Sequence, residues 1–383
     1  MTNQQKYIMS VTRIHINQNI LIWVVERIGK TVDEYVAENP TFQQWLDGTK
    51  LPTFKSIEQF ARKFYVPLGY MFLNEPPQEV CPIPFFRNID DRSHDINVYD
   101  TIIEMQERQD WLSNYLRKQD FDKANYVGIF TSENSIQEVC DKIRDILQLP
   151  HNWAFEYKNI DDALKYITKR MEDKGVIISY NSVVGFNNSR PIPVKVCRGF
   201  TLIDDYAPFI FVNSKDAKGA QMFTLIHEFS HILTGYSAGV GEIDIEHSSD
   251  TEKFCDKVAA NFLVPELLFK EVWTNLGEDY ATLSKRFKVS RFVIARRAME
   301  LGLISSSRFF QLYNSWVKEP IAHIENNKGG NFYPSAIKKN SRTFLIHVNN
   351  ALNRNMLLHM DAYRLTGLKG DTFHKIIKSP FFI

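Results

Sequence analysis

The run QMFTLIHEFSHILTG, Gln221 to Gly235, decides how the rest of the chain is read. It carries His227-Glu228-Phe229-Ser230-His231, an HExxH pattern. Residues four apart stand one above the other on an α-helix, so His227 and His231 would offer two imidazoles to one point. Glu228 sits one step round the cylinder, within reach of a water at that point without being a ligand. Two neutral nitrogens, an open coordination position and a carboxylate to take a proton are what activation of water on Zn²⁺ requires. The flanks predict a buried helix, because Met222, Phe223, Leu225, Ile226, Phe229, Ile232 and Leu233 wrap most of it. Ala220, Thr224, His227, His231 and Thr234 form one small or polar stripe, as suits a helix lining a cleft. Gly235 follows as the C-cap.

HExxH on a helix is the pattern of zinc-dependent peptidases. At 383 residues, the chain has room for two or three domains and a substantial core. Its 44% apolar and 24% charged content is ordinary for a globular protein. A net charge of +1 excludes a global pull towards nucleic acid or membrane, so any basic patch must be local. No apolar run approaches a membrane span, and MTNQQKYIMS has no secretory core. Cys81, Cys140, Cys197 and Cys255 lie far apart without a CxxC pair. They are expected to be reduced thiols of a cytoplasmic protein.

Residues 17–73 predict four short helices: Asn17–Glu26, Thr31–Glu38, Thr41–Asp47 and Ser56–Phe64. The run FQQWLDGTKLPTFKSIEQFARKFYVPLGYMFL resembles the back half of a helix-turn-helix domain of the xenobiotic-response-element, or phage-repressor, type. That resemblance puts Gln43 and Gln44 on a recognition helix, where glutamine can read adenine edges. From Arg13 to Leu73 there are seven Lys/Arg against six Asp/Glu. Phosphate contacts dominate DNA affinity, so contact with protein is as good a use for this domain, residues 1–75, as contact with DNA. Pro76-Pro77, Pro82 and Pro84 open a connecting helical region, 76–160. It holds a charged helix over 98–119, anchored by Ile102, Met105, Trp111 and Leu112, and a second from Ser135 to Leu147. Another helix, Ile160 to Lys174, follows.

From Gly175 the period changes. GVIISY, VCRGFTLID and APFIFVN predict strands of a small antiparallel sheet leading into the HExxH helix. Cys197–Asp204 or Pro208–Asn213 would be the exposed edge that holds an extended substrate. The third ligand must come from GEIDIEHSSDTEKFCDKVAANFLVP. Glu252 and Asp256 are four apart on one face of a helix whose apolar side is Phe254, Cys255, Val258, Ala259 and Phe262. This resembles thermolysin-like enzymes, in which a Glu ligand is followed one turn later by an Asp that fixes a ligating histidine. Two other readings stand beside it. Ser249-Asp250-Thr251-Glu252 is also a capping box, and Glu246, His247 and Asp250 are rival ligands.

FTLIHEFSHILTG followed by EKFCDKVAANFLVP resembles the ImmA/IrrE family of metallo-endopeptidases, and the likeness runs upstream through CRGFTLIDDYAPFIFVN. The resemblance implies that His227, His231 and Glu252 are ligands, Glu228 the general base and Asp256 the partner of a ligand. Asp256 stands where many members have Asn, and either accepts from a histidine. The cofactor implied is Zn²⁺, with Mn²⁺ as the other metal considered. The partner implied is a repressor-type protein substrate, with a toxin or repressor encoded nearby and no membrane.

Residues 271–325 (161–270 being the peptidase domain) predict basic helix-turn-helix-like helices, Ala281–Phe287 and Arg291–Leu301 around Lys288-Val289-Ser290. From Ala281 to Arg308 seven Lys/Arg face one acid, Glu300, so Arg291, Arg296 and Arg297 are candidate nucleic-acid contacts. A solvated basic face is the plainer alternative. Residues 326–383 predict a C-terminal helical region after Lys328-Gly329-Gly330-Asn331, ending in SPFFI. The fold class expected is α+β: a zincin-like metallopeptidase domain behind an all-α helix-turn-helix domain. The function expected is an endopeptidase that relieves repression. The alternative is a DNA-binding regulator or antitoxin that keeps an inactive peptidase fold as an interaction body. Tyr236 and His247 are the nearest candidates to stabilise an oxyanion.

Overall fold

The structure is a computed structural model, described for residues 12–79, 83, 96–235, 239–240, 250–318, 331–380 and 382. The chain divides into two compact units. One is Met1–Cys81 with Phe86–Tyr99, and the other is Pro82–Phe85 with Asp100–Ile383.

The first unit is helical: α1 (Gln18–Glu26), α2 (Val32–Glu38), α3 (Pro40–Leu46), α4 (Phe54–Lys63) and a 3₁₀ turn, Leu68–Phe72. Side chains that compete with the backbone in a helix interior start these helices instead. Asn17 accepts from Asn19 N–H, Thr53 from Ser56 N–H, and Thr31 forms a capping box with Glu34. The core joins Ile20, Leu21, Val24 and Val25 of α1 to an aromatic knot of Tyr35, Phe42, Phe60 and Phe64. Only Asn39 separates α2 from α3, and Pro40 begins α3, where its missing N–H costs nothing.

In the second unit, α5 (Ile96–Lys118, grouped here from Asp100), α6 (Ile136–Leu147) and α7 (Ile160–Glu172) lead to β1 (Ile177–Asn181). A two-residue strand β2 (Val183–Val184) pairs with β3 (Asn187–Pro191) as a separate ribbon turned by Gly185, whose φ is +52°. Then come β4 (Gly199–Leu202), β5 (Phe209–Asn213), α8 (Lys218–Thr234), β6 (Gly239–Val240) and α9 (Asp250–Leu263).

The main sheet has the order β1-β5-β4-β6. β4 runs antiparallel to β5 and β6, but β1 runs parallel to β5, with Ile177 opposite Phe209 and Asn181 opposite Asn213. The antiparallel sheet expected from sequence is therefore a mixed one. The chain between β1 and β5 includes the β2–β3 ribbon and β4, long enough for a crossover, so no tight turn forces the direction. β5 is buried along its whole length and lies between two strands, which rules it out as the edge. β4 also lies between two strands, paired with β6 at Gly199 and Phe200, and is buried throughout, so neither strand expected as the edge is an outer strand of the described sheet.

Helix α5 does more than connect. Buried Gln109 donates to the carbonyls of Leu202 and Ala207, both at 2.8 Å, and Ser113 donates to Asp204 at 2.9 Å. These bonds clamp the β4–β5 turn. After α9 the chain continues through α10 (Glu266–Leu276), α11 (Tyr280–Phe287), α12 (Arg291–Glu300) and α13 (Ser306–Val317). Lys288, in the left-handed region at φ +59°, makes the α11–α12 turn. The last helices are α14 (Phe332–Asn340), α15 (Arg342–Asn353), α16 (His359–Thr366) and α17 (Asp371–Ile377). Phe344 of α15 meets Trp111 and Phe209 edge-on, and Ser179 of β1 donates to Lys339 O at 2.7 Å. In the terminal SPFFI run, Phe382 O accepts from Arg342, which ties that residue back to α15. The Lys328-Gly329-Gly330 junction lies outside the described residues. Among the described residues no helix is long and apolar enough to cross a membrane.

Glu172, at the end of α7, lies beneath the start of α15 and accepts from Ser341 Oγ at 2.5 Å. Desolvation there pushes its carboxyl from 4.5 to about 7, against the pull of Ser341 and Arg342. A carboxyl raised on folding stabilises most below its unfolded value, and the contribution is lost as pH rises through about 7. Glu172→Gln should therefore flatten the fall in thermal stability between pH 5 and 8 relative to wild type. Parallel melting curves for the two proteins at every pH would contradict this assignment.

Candidate metal centre

Helix α8 is buried from Gln221 to Thr234 apart from the half-buried Phe223. Gln221 folds back on its start, donating to Ser214 O and Asp216 O. Gly235 closes it in the left-handed conformation at φ +77°, with its N–H bonded to His231 O. A helix so apolar is held by packing on all sides, which fixes where its few polar side chains point.

His227 and His231, one turn apart, bring their Nε2 atoms to 3.1 Å. Glu252 of α9 completes a triangle, its Oε2 at 3.2 Å from His227 Nε2 and its Oε1 at 3.3 Å from His231 Nε2. Asp256, one turn further along α9, lies 3.0 Å from His227 Nδ1. In the neutral ring the proton then sits on Nδ1, donated to the Asp256 carboxylate, and Nε2 is left as a bare lone pair. That lone pair faces a carboxylate oxygen and a second imidazole nitrogen.

This donor set fits a divalent metal. Convergent lone pairs repel unless a cation or a proton lies among them. Ligands about 2.05 Å from a tetrahedral ion stand about 3.3 Å apart, close to the separations found here. The acidities show the same demand. Burial alone would lower His227, but the carboxylates of Asp256 and Glu252 outweigh it and hold the imidazole at about 10. Burial lowers His231. Burial would raise Glu252, yet the two imidazoles hold it well below the usual carboxylate range. Glu228 is fully buried beside them, and desolvation pushes it up to about 8 against the pull of His227 and of the Thr201 hydroxyl.

Of the rival ligands, Asp250 is 96% exposed and turned towards Lys253, away from the histidines. Glu246, His247 and Tyr236 lie outside the described residues, as does Ser249 of the alternative capping box. Glu252 directs its carboxylate at the imidazoles. Sequence reading passed over Thr201 and Gly199, which meet Glu228 from β4. The available signal was a threonine two residues from a glycine inside an otherwise apolar strand.

The candidate nucleic-acid residues belong to different units. Gln43 and Gln44 are exposed on α3, and Gln43 donates to Asp47, the C-cap of that helix. Arg297 is buried, donating to Val264 O and Asn261 Oδ1, so it is withdrawn as a nucleic-acid contact. Its polar head satisfies the end of α9 rather than a phosphate. Arg296 pairs with Glu300, and Arg291 lies over the Trp316 ring. Arg308 pairs with Glu278, and Arg286 covers Phe155. Of the seven basic residues over 281–308, Lys288 and Arg297 are buried, while Lys285, Arg286, Arg296 and Arg308 remain exposed.

Residues 188–299 match the model of the IrrE N-terminal-like domain, Peptidase_M78. The match runs from β3 into the last turn of α12 and takes in every residue of the triangle, with Glu228 and Asp256. It supports a metallopeptidase-like domain of the ImmA/IrrE kind in this part of the chain. Residues 340–379 match a domain of unknown function, DUF8813. No curated protein matches the chain.

Asp256→Ala should leave the fold intact and weaken metal affinity by roughly 10–100-fold in chelator competition, while His227→Ala abolishes near-stoichiometric metal measured by emission spectroscopy. Equal metal content in wild type and His227→Ala would remove the centre from these residues.

Proposed function

We propose that the chain is a metallo-endopeptidase of the HExxH…E kind, using Zn²⁺ or Mn²⁺ and cutting a repressor-type regulatory protein in the cytoplasm. The observation that carries this is the convergence of His227, His231 and Glu252 beside a buried Glu228 whose Oε1 has no partner among the described residues. An interaction body kept only for its shape has no need of all four groups.

His227, His231 and Glu252 would hold the ion, with Asp256 setting the ring and tautomer of His227. A divalent ion bound there supplies an acidified water and polarises a carbonyl oxygen. Glu228 would act as general base and acid through Oε1, accepting a proton from water and returning it to the leaving amine. Cys140 and Cys255 are buried free thiols, which agrees with a reducing compartment.

Glu228→Gln keeps the shape of the site and removes the base. It should lower cleavage by at least about 10²-fold, and fragments present in wild-type cells should be missing from cells carrying the variant. Identical fragment patterns would count against an active peptidase.

A folded target must offer a loop or linker that can be drawn out as a strand. The nearly neutral charge of residues 13–73 favours recognition of a similar helix-turn-helix domain by direct contact over recognition through shared DNA. Deleting residues 1–75 should preserve metal binding and cleavage of unstructured peptides while abolishing cleavage of the intact partner. Full-rate cutting of the partner by the truncated protein would remove the targeting role.

A further inference from the structure

Glu228 is held from outside its own helix. The hydroxyl of Thr201, on β4, lies 2.6 Å from Glu228 Oε2 and 3.1 Å from the Glu228 carbonyl oxygen. Thr201 is wholly buried. A hydroxyl has one proton to give, and the nearer acceptor lies at the length of a hydrogen bond to an ionised carboxylate. Oε1 of the same carboxylate has no partner among the described residues.

Gly199, two residues before Thr201, presents to the same face of the strand. A Cβ at Gly199 would lie 2.4 Å from Thr224 Cγ2, 2.8 Å from Phe211 O and 3.3 Å from Glu228 Oε1. β4 therefore lies closer to α8 than any side chain there would permit. The same absence of a side chain leaves the flank of Oε1 uncrowded. The two positions act together: one brings the strand against the helix, and the other uses the approach to grip one oxygen.

We propose that Thr201 is a positioning residue for Glu228, holding Oε2 against β4 so that Oε1 is the oxygen that exchanges protons with water and leaving group. This rests on the reading of Glu228 as general base. A carboxylate on a flexible stem, without this grip, can turn about its last bond and present either oxygen or neither. Misplacement of a reacting group by about 1 Å is enough to cost on the order of 10²-fold in rate.

The test compares Thr201→Val, which keeps the shape and loses the donor, with Thr201→Ser, which keeps the donor and loses a methyl. Metal content, melting temperature, kinetics on a quenched fluorescent casein and a crystal structure are measured for each. Thr201→Val should retain its metal and its KM, lose about 10–100-fold in kcat, and show the Glu228 carboxylate turned away from β4. Thr201→Ser should recover kcat to within about threefold of wild type with the carboxylate in place. Should valine disturb the packing, Thr201→Ala makes the same comparison. A valine or alanine variant that keeps the carboxylate orientation or the wild-type kcat overturns the proposal, as does a serine variant no better than valine. If wild type and Glu228→Gln treat casein alike, the peptidase reading fails, and carboxylate orientation in the crystals still decides the role of Thr201.

Discussion

Three proton acceptors meeting at one point inside the protein are the constraint on which the rest of the second unit depends. Lone pairs from His227, His231 and Glu252 converge to within hydrogen-bonding distance of one another. Such a meeting is repulsive unless something positive lies among them, and burial sharpens the repulsion by lowering the local dielectric. Two helices from different parts of the chain must therefore be pressed together by forces that have nothing to do with the site. Those forces are apolar. Met222, Leu225, Ile226 and Phe229 on α8, with Phe254, Cys255, Val258 and Phe262 on α9, belong to one continuous core.

The surrounding architecture removes freedom from each functional side chain in turn. Asp256 decides which imidazole nitrogen of His227 carries the proton. Gln221 ties the start of α8 to the loop that delivers it from β5. Gln109 reaches from α5 to clamp the end of β4, the strand that carries Thr201 and Gly199 to Glu228. The Asp256 and Gln109 contacts join segments far apart in sequence, 29 and 93 residues, whereas the Gln221 bonds are local. Each contact also places a hydrogen-bonding side chain where a buried polar group would otherwise lack a partner.

Not all of the charge written along the chain reaches the surface. The segment from Ala281 to Arg308 holds seven basic residues and one acid, which read locally as a basic patch. In the fold, Arg297 closes the end of α9, Lys288 bonds the carbonyl of Lys285, and Arg286 and Arg291 lie over aromatic rings. Long cationic side chains combine an apolar stem with several donors, so they serve as internal cement as readily as phosphate contacts.

The sequence by itself determined the stacking of His227 on His231 and most of the helices, and left the third member of the triangle among several candidates. Spacing four on a helix stacks two side chains wherever the helix is put, so HExxH and the Glu252–Asp256 pair could be read locally. Capping residues likewise announce where helices begin, as at Thr31, Ser135 and Ser290, although α4 starts after Thr53 and not at Ser56 as expected. Only the tertiary structure decided the direction of β1, the central place of β5, the burial of Arg297 and the grip of Thr201 on Glu228. None of these is a local property. Strand direction depends on how a long connection is routed, and the Thr201 contact spans 27 residues across the strand–helix interface. Nothing in GFTLID says which neighbour its threonine will meet until the apolar core has brought β4 against α8.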